Sequence, residues 1–308
     1  MGLLVVGSVA YDAIETPFAK TEKALGGSAM FFSAAAGYFA PVHLVGVVGN
    51  DFDFDELAFL RKNNIDFEGL TIENGETFRW AGRYLNNMID RETIYTHLGV
   101  FESFNPLLPE KYKENEFIFL ANIHPSLQYS VLQQIHRPTF IAMDTMNFWI
   151  TGALEDLKKT LQHVDALIIN DSEVRLLSQE HNLFTGARKI QSMGPQVLII
   201  KKGEHGAILI QGDSYFACPA LPIENLFDPT GAGDTFAGGF MGYLAECGSV
   251  NETNLRRAVA MGAVMASFCV ERFSAERLKN LTIEEIRQRA AQLLRMIQVE
   301  GDDHWLHL

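Results

Sequence analysis

Short runs dominated by apolar residues recur along the chain, at 3–9, 42–48, 117–120, 139–143, 166–169 and 196–200. Between them lie stretches where apolar residues return at helical spacing, at 30–39, 55–63, 154–162 and 173–180. Brief apolar runs suit strands buried on both faces, and the 3.6-residue period suits helices that cover them. Strands alternating with helices predict a mainly parallel sheet clothed on both sides, an α/β fold.

Two segments break the alternation. Residues 13–20 and 76–98 alternate large apolar with polar residues, and the second carries Asn86-Asn87, a plausible hairpin turn. Such strands predict a small, partly exposed antiparallel sheet that acts as a lid over a site. No Pro- or Ser-rich linker divides the chain and no repeat occurs. The expectation is one domain over 1–298, with the lid segments inserted, and a tail at 299–308 whose last eight residues show no periodicity.

Composition narrows the function. The chain has 308 residues, 47% hydrophobic and 20% charged, with 25 Lys and Arg against 38 Asp and Glu, a formal charge of −13. That balance excludes disorder and suits a packed core. Strong negative charge argues against a nucleic-acid partner and against anionic membranes, since phosphates are gripped by clustered basic faces. Any phosphate-bearing ligand must then be held by local groups or a metal. Cys218, Cys247 and Cys269 form no CxxC pair, which fits buried thiols in a reducing cytosol. Residues 1–7 lack a basic region, so no signal peptide is expected. The longest apolar stretch, 258–270, falls short of the ~20 residues a bilayer requires. A cytoplasmic protein is expected.

No GxxxxGK[ST], HExxH, GxSxG or GxGxxG occurs. One stretch stands apart: Asp228-Pro229-Thr230-Gly231-Ala232-Gly233-Asp234-Thr235-Phe236-Ala237-Gly238-Gly239-Phe240. Gly231, Ala232 and Gly233 let a backbone turn approach a ligand closely. The small and apolar residues that follow predict a helix with Asp234 and Thr235 at its start. Free N–H groups and the positive end of the helix dipole would face an anion in that loop. A lone Gly-Asp before a helix would read as an N-cap, but the longer pattern carries more. It closely resembles the signature of the ribokinase (PfkB) carbohydrate kinase family, which includes adenosine and other nucleoside kinases.

Other residues agree in order. Gly7-Ser8-Val9-Ala10-Tyr11-Asp12 is similar to the family's first strand, ending in an acidic residue that grips substrate hydroxyls. Gly26-Gly27 resembles its double glycine beneath the substrate, and Asn170-Asp171-Ser172-Glu173 matches its NxxE motif, associated with magnesium and phosphate. Lys202-Gly203-Glu204-His205-Gly206 is similar to the glycine turn beside the nucleotide. Each has a plain structural alternative. Asp12 could be a solvated turn residue, Gly26-Gly27 an ordinary loop, Asn170 and Glu173 a capping box, and Lys201 and Lys202 surface charges. His97, His124 and His205 read as isolated structural residues.

The resemblance covers residues 1 to about 298 and implies a ribokinase-like αβα sandwich with a β-sheet lid. It implies transfer of the γ-phosphoryl group of ATP to a hydroxyl, usually a –CH2OH. Asp234 would be the base, with Gly231, Ala232 and Gly233 as an anion hole. Asp12, Gly26, Gly27 and Phe31 would line the substrate. Asn170, Glu173, Lys202, Gly203, Gly206 and Thr230 would attend the nucleotide and Mg²⁺. Asp228 and Thr230 occupy positions that bind a monovalent cation in some relatives, and the helix at 258–270 would border adenine. Lids of relatives can be completed by a second subunit, so a homodimer is an open expectation.

Departures bear on the substrate. Sugar-phosphorylating relatives often carry Asn where this chain has Ala10 and Phe31, the latter beside Phe32. A free sugar would lose two hydrogen-bonding amides there, whereas an aromatic surface could stack on a base. Sugar and nucleoside therefore stand as near-equal alternatives. Asp144-Thr145-Met146-Asn147 matches a family DxN element only in part, with Trp149 near the place of an Arg. A catalytically idle ligand sensor is a remoter reading. A Rossmann dehydrogenase is disfavoured because Gly7-Ser8-Val9-Ala10 lacks the glycine fingerprint.

Overall fold

Side chains alternate across a strand, so a strand buried on both faces feeds two apolar layers. In β1 (Leu3–Val6), Leu3 and Val5 enter one layer and Leu4 and Val6 the other. The chain continues through β2 (Ala10–Glu15), β3 (Lys20–Gly26), α1 (Ser28–Ala36), β4 (Val42–Gly49), α2 (Ala58–Lys62), β5 (Ile65–Glu73), β6 (Arg79–Tyr84) and β7 (Arg91–His97). Then come β8 (Phe117–Leu120), α3 (Pro125–Leu132), β9 (Phe140–Met143), α4 (Asn147–Gly152), α5 (Leu154–Leu161), β10 (Ala166–Asn170), α6 (Asp171–Ser178) and α7 (Leu183–Gln191). The remainder holds β11 (Val197–Lys201), β12 (Ala207–Gln211), β13 (Ser214–Cys218), α8 (Ala232–Cys247), α9 (Glu252–Cys269) and α10 (Ile283–Ile297). This computed structural model describes residues 2–298, and the tail expected at 299–308 lies outside the described residues.

Nine strands form one sheet in the order β13-β12-β11-β10-β9-β8-β1-β4-β5. Neighbours from β5 across to β11 run parallel, and β12 and β13 add an antiparallel edge. One apolar layer gathers α1, α8, α9 and α10, and the other gathers α5, α6 and α7. The αβα sandwich expected from the alternating pattern is present. Two of its helices begin earlier than periodicity suggests: α1 at Ser28, directly after Gly27, and α6 at Asp171.

The small sheet has the order β3-β2-β6-β7. The segment expected as a strand at 13–20 turns instead between β2 and β3. Thr16 accepts the N–H groups of Phe18 and Ala19, and Pro17 has no N–H for a ladder. Each hairpin is antiparallel as expected, but β2 and β6 meet in parallel. Asn87 organises the β6–β7 loop through its side-chain oxygen, which accepts from Ile89 and Asp90. Ile14, Tyr84 and Met88 tie this sheet to Leu226 and Phe273. Cys218 and Cys269 are buried free thiols, whereas Cys247, expected to be buried, is exposed. No helix among the described residues is long and apolar enough to cross a membrane.

The pairing of α1 with α8 fixes where α8 begins. Gly238 permits it: a Cβ there would overlap the Phe32 carbonyl oxygen, which belongs to rigid helical backbone. Gly238→Ala should therefore lower stability by about 1–3 kcal/mol through overpacking, read as a lower urea midpoint. An unchanged midpoint would show that the two helices part without penalty.

Candidate active site

The carboxyl ends of β1, β8, β9, β10 and β11 open on one crevice, where ligands of open parallel sheets bind. The start of α8 points into it. Gly231 caps this helix at φ 76° and ψ 0°, a left-handed conformation that glycine adopts readily. The Phe31 ring lies where a Cβ on Gly231 would stand. Phe31 is only 2% exposed, so its ring supports the loop from beneath. The stacking face expected of it is covered, which corrects that expectation; Phe32 is likewise buried, stacked on Phe119 at 4.5 Å.

Hydrogen bonding selects the loop's free donors. The Ala232 N–H turns back to the Pro229 carbonyl at 3.2 Å, and the Thr235 N–H reaches Gly231 at 2.8 Å. The N–H groups of Gly231, Gly233 and Asp234 have no backbone acceptor among the described residues. Of the three N–H groups expected as an anion hole at 231–233, that of Ala232 is engaged by the tight turn.

Asp234 is the third residue of α8 and makes no side-chain cap for it. Burial pushes its carboxyl up to about 6, while Lys201 and then Arg91 pull the other way. In the sequence Lys201 reads as a surface charge or a phosphate ligand, and Arg91 carries no assignment. The Lys201 Nζ stands 2.8 Å from the place of a Cβ on Gly233, so Lys201, rather than the expected Lys202, reaches the helix start. Strand alternation decides this, and Lys201 pairs in register with Asn170. Arg91 comes from the small sheet, where it pairs in register with Tyr84, and its charge is felt by Asp234 and Glu173. The signal available was a lone Arg in an alternating strand, which does not separate from ordinary edge charge.

Asp12 faces this centre from β2. A Cβ on Gly26 would occupy the space of its carboxyl group, and one on Gly27, at φ 100°, would meet the Ser8 carbonyl. The double glycine is what lets the carboxylate lie against backbone. Burial, then the charges of Asp228 and Asp234, push Asp12 up to about 8.

Asn170 and Glu173 form a capping box on α6: the Asn170 Oδ1 accepts from the Glu173 N–H and Glu173 Oε2 accepts from the Asn170 N–H, both at 2.8 Å. The same bonds hold the Glu173 carboxylate beside Arg91 and Lys201. Asp144, at the end of β9, is 5% exposed, and its Oδ1 has no hydrogen-bond partner. Burial and the charge of Asp234 push it well above the usual carboxylate range. An orphaned buried carboxylate near Glu173 fits a divalent cation held largely by phosphate and water. Among the described residues no group of three or more His, Cys, Asp or Glu is placed to hold a metal ion by itself.

Asp228 is fully buried and accepts from the Thr230 N–H at 2.9 Å and the Ser274 N–H at 3.2 Å. The Thr230 hydroxyl donates to Tyr84 at 3.1 Å. The polar groups expected beside a monovalent cation are thus already paired within the protein, where they clamp the loop. Lys202, Gly203 and Gly206 make the turn between β11 and β12, with the Lys202 N–H donating to the Gly206 carbonyl. Among the histidines, His124 caps α3 and His97 pairs with Glu76 away from the crevice.

Residues 2–281 match the model of the pfkB family carbohydrate kinases. The chain is 28% identical to a cytidine kinase of Thermococcus kodakarensis over 260 residues, 80% of this chain and 92% of that one. Its fold superposes on a nucleoside kinase of Burkholderia thailandensis in complex with inosine, with TM-score 0.77, 21% identity and 95% and 99% of the two chains covered. It also superposes on a nucleoside kinase of Methanocaldococcus jannaschii, described as an archaeal member of the ribokinase family, with TM-score 0.73, 20% identity and 94% and 98% covered.

The raised pKa of Asp12 has a signed consequence. The unfolded chain releases this proton near 3.8 and the folded chain only near 8, so the folded state binds more protons in between. Stability then falls as pH rises through that window. Asp12→Asn should raise the melting temperature of the free protein, by a margin that widens from pH 5 to pH 8. A margin independent of pH would show that this carboxyl titrates as a solvated one.

Proposed function

Since the chain belongs to the pfkB family of carbohydrate kinases, and so is a phosphotransferase acting on an alcohol group of a sugar or nucleoside, we propose that it moves the γ-phosphoryl group of ATP onto a –CH2OH hydroxyl with Asp234 as the base. One observation carries this: the Asp234 carboxyl lies in the first turn of α8, where the N–H groups of Gly231 and Gly233 find no backbone acceptor among the described residues, and the charges of Lys201 and Arg91 act on it.

Asp12, whose carboxyl keeps its proton up to about pH 8 in the free protein, would hydrogen-bond hydroxyls of the acceptor and hold its –CH2OH toward Asp234. A carboxylate is a modest base, which suffices for a loose transition state in which the proton leaves late. The greater demand is charge on the transferring group. The N–H groups of Gly233 and Asp234, the helix dipole, Lys201 and Arg91 would meet that charge in a site with little water. Mg²⁺, when bound, would neutralise phosphate charge, and Asp144 and Glu173 are the residues placed to hold it, directly or through water. The small sheet would close over the crevice as a lid, tied to the loop by Tyr84 and Thr230.

A nucleoside is favoured over a free sugar. Ala10 and Phe31 supply no amide for sugar hydroxyls, and the relative matched over 92% of its length is a cytidine kinase. Reduced buried thiols at Cys218 and Cys269 are in keeping with a cytoplasmic enzyme.

Asp234→Asn should cut kcat by on the order of 10²–10⁴ while ATP still raises the melting temperature. Near-normal turnover would remove Asp234 as the base. Failure of the wild type to phosphorylate any of ribose, fructose, adenosine, inosine or cytidine would leave the ligand-sensor reading standing. The pH profile gives an independent check. Asp234 acts deprotonated, so kcat/KM should fall tenfold per unit below about pH 6. Lys201→Met removes a charge that favours the carboxylate and should shift this limb to higher pH; a shift to lower pH would contradict the placement of Lys201.

A further inference from the structure

Given the nucleoside reading above, on which this step rests, we propose that Trp80 is the specificity-determining surface on which the acceptor's base stacks. Strands β2 and β6 are parallel neighbours in which Asp12 stands opposite Trp80. Directly opposed residues of a sheet point to the same face. Asp12 faces the crevice, and so does Tyr84, four residues beyond Trp80, whose hydroxyl meets Thr230 of the loop. The indole therefore lies on the roof of the crevice, beside the carboxylate that takes ribose hydroxyls.

Its pose comes from Gly82. A Cβ on Gly82 would collide with the six-membered part of the indole, so the ring lies along the sheet over the bare glycine. The indole N–H donates to the Thr93 hydroxyl at 3.4 Å, and the Arg91 guanidinium is 5.4 Å from the ring centroid. Trp80 is half-buried, whereas Phe31 and Phe32 are buried. Adjacent strands sit about 4.8 Å apart, so a ribose edge held by Asp12 brings the attached base beneath the next strand, where Trp80 lies. An indole face takes any base, because each presents a π-surface. This supplies the aromatic platform that the sequence suggested at Phe31 and that burial of Phe31 denies.

Steady-state kinetics of the full chain with ATP test this, using cytidine, adenosine and inosine against ribose, which has no base. Trp80→Ala should raise KM for the nucleosides on the order of 10- to 100-fold, change the ribose KM far less, and be largely rescued by Trp80→Phe. Nucleoside titration should quench wild-type tryptophan fluorescence but not that of Trp80→Phe, a readout independent of turnover. If nucleosides are preferred and Trp80→Ala leaves their KM unaltered, or weakens ribose equally, the stacking role is wrong while the nucleoside reading survives. A wild type that takes ribose better than every nucleoside overturns both.

Discussion

Carboxylates crowded around a helix start, in a crevice that excludes most water, are the constraint from which the rest follows. Asp12, Asp144, Glu173 and Asp234 are all held above their ordinary pKa, in each case chiefly by burial. A fold maximising its own stability would disperse such groups. Here the opposing positive elements are few: the dipole of α8, Lys201 from the large sheet and Arg91 from the small one. The balance is incomplete in the free protein, and the missing positive charge is the kind a phosphate-bound divalent cation brings.

Holding that cluster in place accounts for several features that otherwise look incidental. Gly26 makes room for the Asp12 carboxyl, Gly231 sits on the Phe31 ring, and Gly238 lets α8 press against α1. Asp228 takes two backbone N–H groups, one from its own loop and one from Ser274 after α9. These contacts are made of backbone and close packing, which do not relax when a charge appears nearby. The loop's donors are consequently fixed before any ligand arrives.

Much of the sandwich was legible because strands buried on both faces are written as uninterrupted apolar runs, as at 117–120 and 166–169. The small sheet was legible only as a region. Its alternation marked strands, but Pro17 hid a turn inside one segment, and the parallel meeting of β2 with β6 depends on long-range topology. Asp12, Asp234 and the double glycine were readable since each sits in a motif whose backbone requires it. Lys201 was not, because choosing between adjacent lysines needs the pleat of the strand's last residue. Arg91 and Trp80 carry no local signature at all; only the pairing of strands brings them over the crevice.

The overall charge of −13 and the use of an anionic donor are reconciled by range. In salt of physiological strength, exposed charges fade within about 8 Å, so most of the acidic surface is screened from a phosphate seated in the crevice. The field there is set by near neighbours, whose interactions are screened less than those of distant surface charges. Lys201 stands against Gly233, and the charge of Arg91, on the small sheet, acts on Asp234. Because Arg91 belongs to the small sheet and Lys201 to the large one, the two cations meet only while the sheets are held together. The Tyr84–Thr230 hydrogen bond therefore does more than fasten a strand to a loop: it keeps half of the positive charge within reach of the reacting group.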